Sequence, residues 1–121
     1  MAKLLVVDDS NLSRRISRRI LEDAGYEVVE ATDGISALEK YDLEKPDLVL
    51  LDLTMHGMSG IDVLTKLREL DPQARIVIAT ADIQSSTRSL TDAGGALGFI
   101  TKPLSAAAVL EVVESALRGG S

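Results

Sequence analysis

The stretch "LVLLDLTMHGMSG", Leu48 to Gly60, decides the fold. Four apolar residues in a row, Leu48 to Leu51, end in a carboxylate, Asp52. An unbroken apolar run of this length suits a strand buried on both faces, as in a parallel sheet. Similar runs recur at "LLVV" (4–7), "EVVEA" (27–31), "RIVIAT" (75–80) and "GFIT" (98–101).

Between these runs lie longer stretches with helical spacing. Leu12, Ile16 and Ile20 recur every four residues. Ile35, Leu38 and Tyr41 recur every three, as do Ile61, Leu64 and Leu67, with Val63 and Leu70 beside them. A fourth stretch, 83–93, is weaker, with Ile83, Thr87, Leu90 and Ala93. The last, 105–118, is strong: Val109, Leu110, Val113, Ala116 and Leu117, with Ser105 as N-cap. Turn residues fall at the joints: Ala24-Gly25, Asp33-Gly34, Lys45-Pro46-Asp47, Asp71-Pro72 and Gly94-Gly95. Strand and helix alternate five times, which predicts an α/β fold: a doubly wound five-stranded parallel sheet with five helices on its two faces. The runs 4–7, 48–52 and 76–79 are the most apolar and are expected at the centre. Glu27 and Glu30 mark 27–31 as an edge, giving the order 2-1-3-4-5.

The totals exclude several classes. The 121 residues make one domain, expected over 1–118, with "GGS" (119–121) as a flexible tail. There is no cysteine, which rules out disulfides and thiolate metal sites. No apolar run approaches the ~18 residues of a membrane span, and "MAKLLVVDDS" turns acidic too soon for a signal peptide, so a cytoplasmic protein is expected. Lys and Arg number 13 against 19 Asp and Glu, a net charge of −6, which opposes direct binding of nucleic acid. Tyr26, Tyr41 and Phe99 are the only aromatic residues, too few for base stacking.

In open parallel sheets function gathers beyond the carboxyl ends of the strands. There the sequence delivers Asp8, Asp9 and Ser10 after strand 1, and Asp52 after strand 3. Thr80, Ala81 and Asp82 follow strand 4, and Thr101, Lys102 and Pro103 follow strand 5. Three carboxylates on neighbouring strands repel one another by about 3 kcal/mol per pair at ~5 Å and an effective dielectric near 20. Lys102 supplies one compensating charge and a divalent cation would supply two. All-oxygen ligands favour a hard ion, magnesium or alternatively manganese. Such a site suits phosphoryl transfer. Asp52 would be the nucleophile that forms an acyl phosphate, Lys102 and the ion would neutralise the phosphoryl oxygens, and Thr80 would donate a hydrogen bond to one of them.

The motifs "LLVVDDS", "PDLVLLDLTMHGMSG", "IVIATA" and "GFITKPL" together resemble the response-regulator receiver domain, the flavodoxin-like phosphoacceptor module of two-component signalling, over residues 3–117. The resemblance implies that Asp52 is phosphorylated. Asp8, Asp9, the Asp52 carboxylate and the backbone carbonyl of Thr54 would hold magnesium. Thr80 would be the switch hydroxyl, Lys102 the phosphate-binding lysine, and Phe99 the rotating aromatic. The bond before Pro103 would be cis, aiming Lys102 inward. Thr54 and Asp82, two residues after Asp52 and Thr80, would tune the lifetime of the phosphate. A histidine kinase or phosphotransfer domain would be the donor. A downstream protein, or a second copy of the chain, would be met through the fourth and fifth helices and strand 5. The resemblance implies a switch rather than an enzyme, limited to self-phosphotransfer and autodephosphorylation. Departures from the family pattern are His56-Gly57 in place of the frequent Pro-Gly, and "GALG" (95–98) where acidic residues are common.

Other motifs carry less. His56 is the single histidine and reads as a surface residue. "HGMSG" is no nucleophile elbow, which would need glycine where Ile61 stands. "GGALG" (94–98) runs from helix into strand, the reverse of a phosphate loop. "SRRISRRI" (13–20) offers Arg14, Arg15 and Arg18 as a basic face, either solvated or docking the kinase. In the last helix Ala106, Ala107, Ala108 and Val112 extend the apolar surface beyond one face.

Three other functions fit the sequence less well. An aspartyl-phosphate phosphatase of the haloacid-dehalogenase type needs a second aspartate where Thr54 stands. A flavodoxin-like cofactor carrier needs a phosphate loop where Asp8 and Asp9 stand. A degenerate receiver, acting as a phosphorylation-independent binding module, would not keep the full set of Asp8, Asp9, Asp52, Thr80 and Lys102. No output domain follows within this sequence. The chain is therefore expected to act through protein contacts, like chemotaxis-type single-domain regulators, or to be part of a longer regulator.

Overall fold

The computed structural model describes residues 2–53, 60–80 and 96–118. Strand and helix alternate as β1 (Lys3–Val7), α1 (Asn11–Asp23), β2 (Glu27–Ala31), α2 (Gly34–Glu44), β3 (Leu48–Asp52), α3 (Gly60–Leu70), β4 (Ile76–Thr80), β5 (Gly98–Thr101) and α4 (Ala106–Leu117). All strands pair in parallel, in the order β2-β1-β3-β4-β5. The three most apolar runs are central, and the run bearing Glu27 and Glu30 is an edge, as its charge predicts. The expected helix 83–93 lies outside the described residues, as do Thr54, His56, Asp82 and the tail 119–121. No helix among the described residues is long and apolar enough to cross a membrane.

The core divides by strand parity, because successive side chains point to opposite faces. Leu5, Val7, Val49, Leu51, Ile76 and Ile78 pack with Ala37 and Tyr41 of α2 and with Val63, Leu64 and Leu67 of α3. Leu4, Val6, Leu48, Leu50, Val77 and Ala79 pack with Leu21 of α1 and with Val109, Val113 and Ala116 of α4. Each fully buried Leu, Val or Ile contributes about 1.5–3 kcal/mol relative to exposure. Every residue of β3 and β4 is buried, so both runs are held on two faces and their register is fixed.

Local signals set the helix ends. Ser10 caps α1 by accepting from the Ser13 N–H at 3.2 Å. Asp33 and Ser36 form a capping box at α2, and Ser105 accepts from the Ala108 N–H at 3.2 Å at the start of α4. Gly25, at φ +95°, makes the left-handed turn into β2. Arg75, just before β4, donates through Nη1 to the Leu117 carbonyl at 3.2 Å, tying the end of α4 to the strand starts.

Helix α1 departs from its apolar spacing. Its buried residues are Ser17 and Leu21, while Leu12 is 68% exposed and Ile16 40%. The helix is turned by about one residue, ~100°, from the face that Leu12, Ile16 and Ile20 define. Ile20 still packs against the α1–α4 side of the core. This rotation brings Arg14 toward the sheet, where it bonds to β2 and to the end of β1. Ile35 and Leu70 likewise stand exposed at the margins of α2 and α3.

Candidate functional site

The register assembles the site. Val7 pairs with Leu51, so Asp8, the next residue, comes level with Asp52. Asp52 in turn pairs with Ala79, one residue before Thr80, and Thr80 pairs with Thr101, one before Lys102. Four largely apolar strands thus deliver Asp8, Asp52, Thr80 and Lys102 to one edge. Asp8, Asp52 and Thr80 are buried, each no more than 3% exposed.

Asp8, Asp9 and Asp52 each place a carboxylate oxygen within 4.8 Å of the others. Opposite ligands of one hard cation stand ~4–5 Å apart, so the three can share an ion. The donors are all oxygen and carry three negative charges, which fits magnesium by chemistry as well as by spacing. Lys102 enters from β5. Its Nζ lies 3.2 Å from Asp8 Oδ2 and 3.4 Å from Asp52 Oδ2, bridging the two carboxylates. The Lys102–Pro103 peptide bond is cis, and the Lys102 N–H donates to the Thr80 carbonyl at 2.8 Å, locking the end of β5 to the end of β4. Phe99 is half-buried in β5 against the α2–α3 side of the core, on the strand that carries Lys102.

A model of the response regulator receiver domain matches residues 4–114. The chain belongs to the response regulator receiver domain family. Among its relatives, the chemotaxis protein CheY of Listeria monocytogenes is 40% identical over 119 residues, covering 98% of this chain and 100% of that protein. The nitrate/nitrite response regulator protein NarP of Escherichia coli is 42% identical over 120 residues, 97% of this chain but 55% of NarP. A solved structure of chemotaxis protein CheY4 from Vibrio cholerae superposes with a TM-score of 0.92 at 31% identity, covering 96% of this chain and 98% of that one.

Within this receiver domain the residues expected at the site in the described segments, Asp8, Asp9, Asp52, Thr80 and Lys102, stand at one sheet edge. Thr54 and Asp82 lie outside the described residues. The basic face of α1 is not uniform. Arg15 is exposed. Arg18 is half-exposed and pairs with Glu22 and Glu30. Arg14 is only 14% exposed and pairs with Glu30 at 2.7 Å. Burial alone would raise the Glu30 carboxyl, but hydrogen bonds from Arg18 and Arg14 outweigh it and hold the group below its ordinary value.

Two contacts near the site were not legible in the sequence: the close packing of Gly60, and a bond from Arg14, expected only as part of a solvated or kinase-docking face. Gly60 opens α3 directly against the end of β3. A Cβ there would meet Leu53 Cα at 2.6 Å and the Asp52 carbonyl at 3.0 Å. Arg14 donates to the Asp8 carbonyl at 2.9 Å. The only signal for Gly60 was a glycine eight residues after Asp52; for Arg14 there was none beyond its charge.

Proposed function

We propose that this receiver domain is a cytoplasmic phosphoacceptor switch that takes a phosphoryl group onto Asp52 from a histidine kinase or phosphotransfer domain. The observation that carries the reading is the Asp8, Asp9, Asp52 cluster with Lys102 bridging two of its members. Asp52 Oδ attacks phosphorus, the bond from phosphorus to the donor imidazole nitrogen breaks, and its electron pair stays on that nitrogen. Asp8, Asp9, Asp52 and the Thr54 carbonyl would hold magnesium, which when bound would neutralise charge on the phosphoryl oxygens. Lys102 stabilises the same oxygens, and exchanges its pairing with Asp52 for one with the new phosphoryl group. Thr80 donates its hydroxyl to a phosphoryl oxygen, and Phe99 follows into the space left.

The resulting change falls on the face where a downstream protein or second copy binds, made by β5, α4 and the expected helix 83–93, which lies outside the described residues. It is a local electrostatic event biasing a two-state element. Thr54 and Asp82 set the phosphate lifetime. Arg15 and Arg18, with Arg14 beneath them, form the basic side of the kinase-docking face.

The test is incubation with magnesium and acetyl phosphate, or with beryllofluoride, beside Asp52→Asn. Wild type should gain one phosphoryl mass and shift its amide spectrum, and the variant should do neither. A wild type that gains no mass and shows no spectral change ends the phosphoacceptor reading. Equal labelling of Asp52→Asn ends the assignment to Asp52.

A further inference from the structure

Asp8 and Asp9 are adjacent in sequence, yet their carboxylate oxygens lie within 4.8 Å of each other. In an extended strand neighbouring side chains point to opposite faces. The chain must therefore leave strand geometry here, and β1 ends at Val7. Turning the Asp8–Asp9 peptide out of the ladder removes its carbonyl from strand pairing, and a buried carbonyl needs another donor.

Arg14 provides it. Nη1 donates to the Asp8 carbonyl at 2.9 Å, Nε to Glu30 Oε1 at 2.7 Å and Nη2 to Asn11 Oδ1 at 2.7 Å. One guanidinium thus ties the peptide between the two aspartates to the edge strand β2 and to the first turn of α1. The other polar atoms of Asp8 are also engaged. Its N–H donates to the Ala31 carbonyl at 3.1 Å, Oδ1 accepts from the Ser10 N–H at 2.9 Å, and Oδ2 faces Lys102. Arg18 shares Glu30 but makes no bond to Asp8.

We propose that Arg14 is a positioning residue for the divalent-cation site, holding the Asp8–Asp9 peptide so that both carboxylates reach one ion. This rests on the metal-site part of the phosphoacceptor reading. The planar fork matters as well as the charge, because three acceptors in three directions are met by one rigid group. Groups that orient metal ligands from behind are worth on the order of ten- to a hundredfold in affinity.

The experiment is a magnesium titration of the full chain by calorimetry, with backbone amide shifts recorded in parallel. Arg14→Gln should bind magnesium about tenfold more weakly, with the Asp9 and Ser10 amides displaced before any ion is added. Arg18→Gln, the matched control on the same glutamate, should keep wild-type affinity. Arg14→Lys keeps the charge and the fold but not the fork, and should stay weakened. Wild-type affinity in Arg14→Gln, or full rescue by Arg14→Lys, overturns the proposal. A docking role would weaken phosphotransfer from a protein donor while leaving magnesium affinity unchanged, which also overturns it. Labelling of the wild type by acetyl phosphate separates the two readings. If wild type is labelled while Arg14→Gln binds the ion normally, the Arg14 inference falls alone. A wild type that binds no magnesium overturns both.

Discussion

At the scale of single residues, the site is a balance of charges held in place by close packing. Among the described residues Asp52 faces the carboxylates of Asp8 and Asp9 and the Lys102 ammonium, and two like charges against one opposite charge favour loss of its own charge when no divalent cation is bound. Asp52→Asn is therefore expected to stabilise the metal-free fold by on the order of 1–3 kcal/mol. Urea unfolding in chelator should show this gain, and saturating magnesium should shrink it. A variant no more stable than wild type in chelator would mean that the repulsion is relieved some other way. Gly60 acts through volume instead. Its missing Cβ is the space occupied by Leu53 Cα and the Asp52 carbonyl. Gly60→Ala should cost about 1–3 kcal/mol of stability by overpacking. It should also displace the amides of Asp52 and Leu53 more than those of β1, which an amide spectrum would record.

At the scale of elements, the strands were legible and the helix faces only partly so. Continuous apolar runs need burial on both sides whatever surrounds them, so Leu48–Leu51 and Ile76–Ala79 declared themselves. The edge position of β2 was equally plain from Glu27 and Glu30. Helix α1 differs because Leu12 and Ile16 carry the stronger apolar signal, while the residues it buries are Ser17 and Leu21. The rotation follows from what the sheet edge offers, a Glu30 carboxylate and the Asp8 carbonyl for Arg14, and periodicity does not encode partners that lie on other strands. The same blindness hid the tie between α2 and α3. There Tyr41 donates through its hydroxyl to Asp71 Oδ2 at 2.8 Å. Burial first, and then this bond, push the tyrosine hydroxyl up, and the bond lowers the Asp71 carboxyl.

The signs define a window for that tie. A lowered carboxyl contributes stability above its unfolded value near pH 4, lost as pH falls through the folded value. A raised phenol contributes stability below its unfolded value of about 10, lost as pH rises above it. Tyr41→Phe should thus cost about 1–2 kcal/mol at pH 7, and less at pH 3. It should also flatten the wild type's alkaline loss. Urea midpoints at pH 3, 7 and 10.5 check this; a deficit constant across the three would refute the linkage.

At the scale of the whole molecule, the layered core supports the acidic edge. Folding brings Asp8, Asp9 and Asp52 together against their repulsion, so an ion that binds only the folded state should stabilise the entire chain. At a hundredfold excess over its dissociation constant the gain is about 2.7 kcal/mol. Wild type should therefore show a higher urea midpoint in magnesium than in chelator, and Asp52→Asn a smaller difference. Equal midpoints for wild type would argue that the acidic cluster does not take the ion. The global arrangement was readable because alternating strands and helices admit few parallel topologies. The acidic cluster was readable as a set of residue types at the strand ends. Its supporting contacts, Arg14 and Gly60, were not, since both depend on distances that only the closed structure supplies.

The bond from Arg75 to the Leu117 carbonyl has a consequence for architecture. It holds the end of α4 beside the start of β4. In a parallel sheet that is also the side where β1 begins, the pole opposite the acidic cluster. Anything spliced to either end of the described fold would hang from that far pole, clear of Asp52. Linker length on that side would vary without reaching the acidic cluster.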